Sequence, residues 1–159
     1  MDNFALTLIG FILCLLLESS GFLIINGYNL NCLLIFILFF PCRFQRRKGI
    51  LWGLVGGLME DLLSLHSGGL RSFTYTLAAF FGEWLWRETG ATGISASLGS
   101  IIIVGLEELL FLILQRALGL STGFPLNWGK RLAIGLLGNA VIAIILVGLS
   151  LPFQKRRLK

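Results

Sequence analysis

GILWGLVGGLMEDLLSLHSGGLRSF, residues 49–73, is apolar for most of its length, yet it carries two adjacent carboxylates, Glu60 and Asp61. Gly49, Gly53 and Gly57 recur every four residues, and Asp61 is the next step in that series. Residues four apart lie on one helix face. Gly56 and Glu60 form the neighbouring row. A stripe of small residues lets a second backbone approach closely. Carboxylates within a spanning helix are costly and face the bundle interior or a wet cavity. Both arguments turn this face inward, with the acids at the top of the seam. At about 1.5 Å per residue, Asp61 stands roughly 18 Å above Gly49, in the far half of a bilayer. After the helix, Gly68 and Gly69 break the pattern and permit left-handed backbone.

The rest of the chain supports a membrane setting. Of its 159 residues 56% are hydrophobic and only 13% charged, with a mean hydropathy of +0.88. Soluble domains sit nearer about 45–50% apolar and about 25% charged. The net charge of +5 then reads as cytoplasmic loops facing anionic lipid, with no nucleic-acid partner. Met1-Asp2-Asn3 supplies no basic segment and no small-x-small site follows the first apolar run, so that run is expected to stay as a span.

Six apolar runs are candidate spanning helices: residues 3–25, 31–42, 49–65, 70–86, 93–115 and 130–151. The expected fold class is all-α, a polytopic integral membrane protein of six transmembrane helices in one domain over residues 1–159. The second run is short, because Pro41 follows about ten apolar residues. Charge settles its assignment. Arg43, Arg46, Arg47 and Lys48 follow it, and Lys155, Arg156, Arg157 and Lys159 end the chain. Six spans place both clusters and Arg87 on one side, nine of the 13 basic residues. The positive-inside rule makes that side cytoplasmic, with both termini on it. Trp52, Trp84 and Trp86 would then mark the inner interface, and Tyr28 and Trp128 the outer one.

The same counting lifts Glu18 in the first helix and Glu107 with Glu108 in the fifth to the height of Asp61. Arg71, Arg116, Lys130 and Arg131, with His66, lie at outer helix ends and oppose them. A charge-paired polar region is expected in the outer half of the bundle. Glu83 lies near the inner end of the fourth helix with Arg87 at i+4, which reads as an interfacial ion pair. Thr74, Ala78 and Gly82, and likewise Gly135, Asn139 and Ala143, form further packing rows, with Asn139 as an interhelical hydrogen-bond partner.

No catalytic constellation emerges. There is no Ser/His/Asp set, no HExxH and no Walker motif. Adjacent carboxylates on a helix diverge by about 100°, so neither Glu60 with Asp61 nor Glu107 with Glu108 grips one bond jointly. No cofactor and no metal are expected. Cys14, Cys32 and Cys42 are odd in number and fit no metal spacing, so a disulfide framework is not expected either.

The segment GLVGGLMEDLLSLHSGGLRSFTYTLAAFF resembles the MreD family, the rod-shape-determining membrane proteins of bacteria. The family carries a Gly-Leu-x-x-Gly-Leu-x-x-Asp-like helix, a short glycine-containing loop and a Leu- and Ala-rich helix. Here those positions are Gly53, Leu54, Gly57, Leu58, Asp61, Gly68, Gly69 and Leu70. Glu60 departs from the pattern, where an apolar residue is more typical. The resemblance implies a non-enzymatic scaffold of the cell-elongation machinery in the inner membrane, supporting peptidoglycan synthesis and cell shape. It implies MreC as direct partner, with RodA, a class B penicillin-binding transpeptidase and MreB in the same assembly. On this reading Gly49, Gly53, Gly57, Glu60, Asp61, Gly68, Gly69 and Arg71 are structural or partner-contact candidates. Arg43, Arg46, Arg47 and Lys48 face membrane lipid or the cytoskeletal partner. A glycine face also leaves a homodimer open. The family is similar in fold to the substrate-binding S subunits of energy-coupling-factor vitamin transporters, the alternative reading. Those subunits carry an Ala-x-x-x-Ala-like contact motif in the first helix; here Ala5 is followed by Ile9.

Overall fold

Helix α3 (Gly49–Ser64) and helix α4 (Leu70–Thr89) form the best-packed pair in the molecule. In this computed structural model the described residues are 3–21, 24–25, 28–39, 48–64, 69–89 and 93–120, then 129, 133, 135, 137–142 and 144–145. Two glycines set the α3–α4 contact. A Cβ on Gly53 would lie 2.7 Å from the Tyr75 carbonyl oxygen and 2.8 Å from the Ala79 Cβ. A Cβ on Gly57 would overlap Ser72 Cα and the Arg71 carbonyl oxygen. The glycine stripe is therefore consumed within the chain, backbone against backbone. Gly56, on the neighbouring row, receives Ile37, Phe11 and Leu33 side chains instead.

Helix α1 (Asn3–Ser19) stops well before residue 25, where the apolar run had suggested its end. The Ser19 and Ser20 hydroxyls donate to the carbonyls of Leu16 (3.1 Å) and Leu17 (2.8 Å), bonds that compete with helix continuation. A two-rung antiparallel ladder follows. Its strands β1 (Ile24–Ile25) and β2 (Tyr28–Asn29) pair Ile24 with Asn29 and Ile25 with Tyr28. Helix α2 (Cys32–Phe39) has all eight residues buried. It is apolar on every side and packs against α1, α3, α4 and the fifth helix, α5 (Gly93–Ala117). Its described residues span about 12 Å, against a bilayer's roughly 30 Å of hydrocarbon. Residues 40–47, where the second run was expected to end, lie outside the described residues, as do parts of the sixth run. Helical residues recur there from 129 to 145.

α5 ends in a Schellman motif. Leu120 N–H donates to Gln115 O (2.9 Å) and Gly119 N–H to Arg116 O (3.0 Å), with Gly119 at φ +69°. The fold is thus all-α apart from the short ladder. Among the described residues one segment, Leu98–Ala117, is long and apolar enough to cross a membrane by length and composition. Thr7–Ser19 is a shorter apolar helix, and α4 is diluted by Arg71, Glu83, Arg87 and Glu88.

On α1 and α5 the polar side chains face inward and many large apolar ones outward. In α1 the buried face holds Thr7, Phe11, Cys14 and Glu18, whereas Leu8, Ile9, Ile12, Leu13, Leu16 and Leu17 are exposed. In α5 Ser100, Glu107 and Glu108 are buried while Leu98, Ile102, Leu106 and Ile113 point outward.

Two of the tryptophans expected at the inner interface make contacts within the bundle. Trp52 is buried against the rings of Phe11 (5.0 Å between centroids) and Phe4 (6.0 Å). Trp86 donates its indole N–H to the Leu38 carbonyl at 3.0 Å. Trp84 is exposed.

Candidate functional site: a buried polar centre

The centre assembles around one cation. Arg71, in the first turn of α4, faces three carboxylates. Its Nη1 lies 3.3 Å from Glu107 Oε1 and 3.4 Å from Glu108 Oε1, and its Nε lies 3.5 Å from Glu60 Oε1. The guanidinium stacks over the Phe111 ring at 3.9 Å from its centroid, with Tyr75 at 5.9 Å. Such a face contact suits a weakly hydrated, planar cation taken out of water.

Neutral groups complete the shell. The Asn31 amide donates to Glu108 Oε1 (2.5 Å) and to Glu107 Oε2 (3.3 Å). Thr74 Oγ1 donates to Glu107 Oε1 at 2.7 Å. The Asn31 backbone N–H donates to Asn139 Oδ1 at 3.2 Å. Glu18 Oε2 accepts the Leu33 N–H, in the first turn of α2, at 3.1 Å. Among the described residues, α1, the entry to α2, α3, α4, α5 and Asn139 each contribute a polar atom.

Asp61 has a separate role. Phe73 N–H donates to Gly69 O, so Gly69 occupies the N-cap position of α4. Gly69 has φ +89° and no side chain with which to cap. Asp61 supplies the missing acceptor from the preceding helix. Its carboxylate accepts the N–H groups of Arg71 (3.1 Å) and Ser72 (2.9 Å), the N2 and N3 donors, and the Ser72 hydroxyl (2.5 Å). The negative charge also meets the positive end of the α4 dipole.

Glu83 differs from the ion pair read at i+4. Its Oε1 accepts the Gly49 N–H at 2.7 Å, capping α3 from α4. Among the described residues no Glu83–Arg87 pair falls within 4.0 Å. The capped N–H lies 34 positions away in sequence, which a local spacing rule does not reach. The α3–α4 pair is thus closed at both ends by a carboxylate of one helix on the first turn of the other.

The other expected members divide. Glu18, Glu60, Glu107 and Glu108 lie in the centre with Arg71. Arg116 is exposed at the end of α5, about 13 Å along the axis from Glu107. Lys130, Arg131, His66, Gly68, Arg43, Arg46 and Arg47 lie outside the described residues, and Lys48 is exposed in the turn before α3. Asn31, Thr74 as a carboxylate partner, and Tyr75 are members that sequence reading missed. The signal for Asn31 was a lone amide at the mouth of the wholly apolar run CLLIFILF.

The Glu107 and Glu108 carboxylates are spent on Arg71, Asn31 and Thr74. Among the described residues no group of three or more metal-ligating side chains comes together. Buried atoms without a hydrogen-bond partner are Glu18 Oε1, Asn31 Oδ1, Glu60 Oε2, Tyr75 Oη and Asn139 Nδ2. A half-open cleft between α4 and α5 runs outward from Thr74 and Glu107, past Leu77, Ala78, Phe81, Ile103, Leu106 and Leu110. No family model, no curated protein and no solved structure matches this chain.

Proposed function

We propose that this chain is a multi-pass protein of the bacterial cytoplasmic membrane, with six membrane helices and both termini cytoplasmic. Its proposed role is a non-enzymatic scaffold of the cell-elongation complex, of the kind the MreD resemblance implies. The observation that carries the membrane part is the inverted burial. Large apolar side chains cover the outside of α1, α3, α4 and α5, while the carboxylates and amides lie within. Soluble monomers rarely expose a contiguous apolar patch above a few hundred Å², and intramembrane ionisable groups face inward. On this reading α2 is enclosed by its neighbours and touches no lipid.

The scaffold part rests on how the polar atoms are used. Asp61 and Glu83 cap helices, and Arg71, Glu107, Glu108, Asn31 and Thr74 pair with one another. The glycine stripe is spent on the α3–α4 contact, so a partner span would meet the outward Leu, Ile and Phe faces. MreC is the proposed direct partner, with RodA, the class B penicillin-binding transpeptidase and MreB in the wider assembly. The likeness to S subunits of vitamin transporters that the MreD resemblance implies keeps one competing role in view, for which the α4–α5 cleft would be the ligand groove.

Affinity capture of the tagged chain from its native membrane, with mass spectrometry of co-purifying proteins, tests the proposal. Recovery of MreC, RodA and the transpeptidase is the expected result. Recovery of an ATPase pair with a coupling subunit would replace the scaffold role by the transporter one.

A further inference from the structure

Cys14 and Cys32 meet inside the bundle. Cys14 lies on the buried face of α1, and Cys32 is the first residue of α2. Their Sγ atoms are 3.6 Å apart, although the residues are 18 positions apart in sequence. Both are free thiols, each about 7% exposed. Sequence spacing alone had argued against a disulfide framework. The tertiary arrangement gives this one pair a geometry that spacing does not reveal.

We infer that Cys14 and Cys32 are a disulfide-forming pair, a covalent modification site that staples α1 to α2. A disulfide needs the sulfurs about 2.05 Å apart. Closing from 3.6 Å therefore requires about 1.5 Å of movement. The position gives the bond a consequence. Glu18 lies one turn beyond Cys14 and accepts the N–H of Leu33, the residue after Cys32. The thiol pair and the carboxylate thus secure the same corner. The hydrogen bond there breaks freely; the disulfide would hold the corner covalently until reduced and fix the entry to α2, where Asn31 reaches Glu107 and Glu108.

The step balances as a two-electron oxidation. Two S–H bonds break and one S–S bond forms. Two protons and two electrons pass to an oxidant, either a protein disulfide that becomes a dithiol or a diazene such as diamide that becomes its hydrazine. Diamide enters membranes and serves as the probe. The inference stands on the thiol geometry alone, independently of the scaffold role.

The test uses the full chain in native membranes. After diamide treatment, the chain is denatured without reductant, alkylated, and analysed by intact mass and peptide mapping. Of three cysteines, only Cys42 should alkylate, and one cross-linked peptide should join Cys14 to Cys32. Dithiothreitol should restore all three thiols. Cys42→Ser should form the same cross-link and show no alkylatable thiol. Cys14→Ser should abolish the cross-link and, should that variant fail to fold, the Cys42→Ser result still decides. Three alkylatable thiols after oxidation of the folded chain, or a disulfide joining Cys42 to either of the others, would overturn the inference.

Discussion

Asp61, in α3, caps α4: its carboxylate accepts the N–H groups of Arg71 and Ser72 across the helix–helix contact. An N-cap acceptor normally stands immediately before its helix. Here that place is held by Gly69, whose left-handed φ of +89° sets the turn. The turn residue and the capping residue are thus separated, and α3 must be docked before α4 has its cap.

Replacing Asp61 by Leu should leave the first-turn donors of α4 unpaired and cost about 1–3 kcal/mol. Asp61→Asn, which keeps one oxygen acceptor, should cost less. Glu60→Leu should be milder than Asp61→Leu, because Glu60 is one of three carboxylates on Arg71. Unfolding temperatures of the purified variants in one detergent check the order. Equal effects for Asp61→Leu and Glu60→Leu would count against the capping role.

Among the described residues, Arg71 is the only cation in a centre that holds Glu60, Glu107 and Glu108 within ion-pair distance. Removing one partner of a buried pair leaves uncompensated charge and costs about 3–5 kcal/mol. Arg71→Met should therefore lower stability severely. Adding Glu107→Gln to Arg71→Met should restore part of the loss, because it removes one stranded carboxylate. A double-mutant cycle on denaturation midpoints measures that coupling, and simple additivity would contradict it.

Gly57→Ala should be worse than Gly56→Ala. The new Cβ at 57 meets backbone, Ser72 Cα and the Arg71 carbonyl, whereas at 56 it meets the movable Ile37 side chain. Overpacking of this kind typically costs about 1–3 kcal/mol. Gly129→Ala, with nothing within 4 Å of the added carbon, should be neutral. Yield of monodisperse protein on size-exclusion chromatography ranks the three.

Glu83 and Arg87 separate two readings of one sequence spacing. Because Glu83 accepts the Gly49 N–H, Glu83→Ala should cost about 0.5–2 kcal/mol. Arg87→Ala should change the unfolding temperature little. Matched losses in the two variants would restore the i+4 ion pair.

What the sequence made legible follows from the range of each interaction. The stripe Gly49, Gly53, Gly57 and the acid that ends it share one helix, so periodicity alone placed them on one face and turned it inward. Glu18, Glu107 and Glu108 were brought to one level by counting residues from helix ends, which works while helices are straight and side by side. Asn31 and Thr74 escaped because their roles depend on how α2, α4 and α5 are rotated against one another, and no single-helix pattern carries that. Glu83 was misread because the nearest partner in sequence was not the nearest in space. The end of α1 was overrun because hydropathy continues through Phe22–Ile25, while serine hydroxyls and Gly21 stop the helix locally. The run CLLIFILF is apolar all round, a pattern shared by a lipid-facing helix and by one enclosed in protein, and burial shows that the described part of α2 is enclosed.

The proposed scaffold packs its outward faces against another membrane span, with its polar centre reserved for internal cohesion. Site-specific photo-crosslinking in the native membrane tests that claim most directly. A photoreactive residue is placed singly at Leu13, Leu54, Phe80 and Leu106, exposed positions on α1, α3, α4 and α5. The account predicts a cross-link from at least one of these faces to a single-span partner of the MreC kind, and none from a probe at the buried Val104. Adducts to lipid alone from all four faces, in a chain that co-purifies with no other membrane protein, would contradict it.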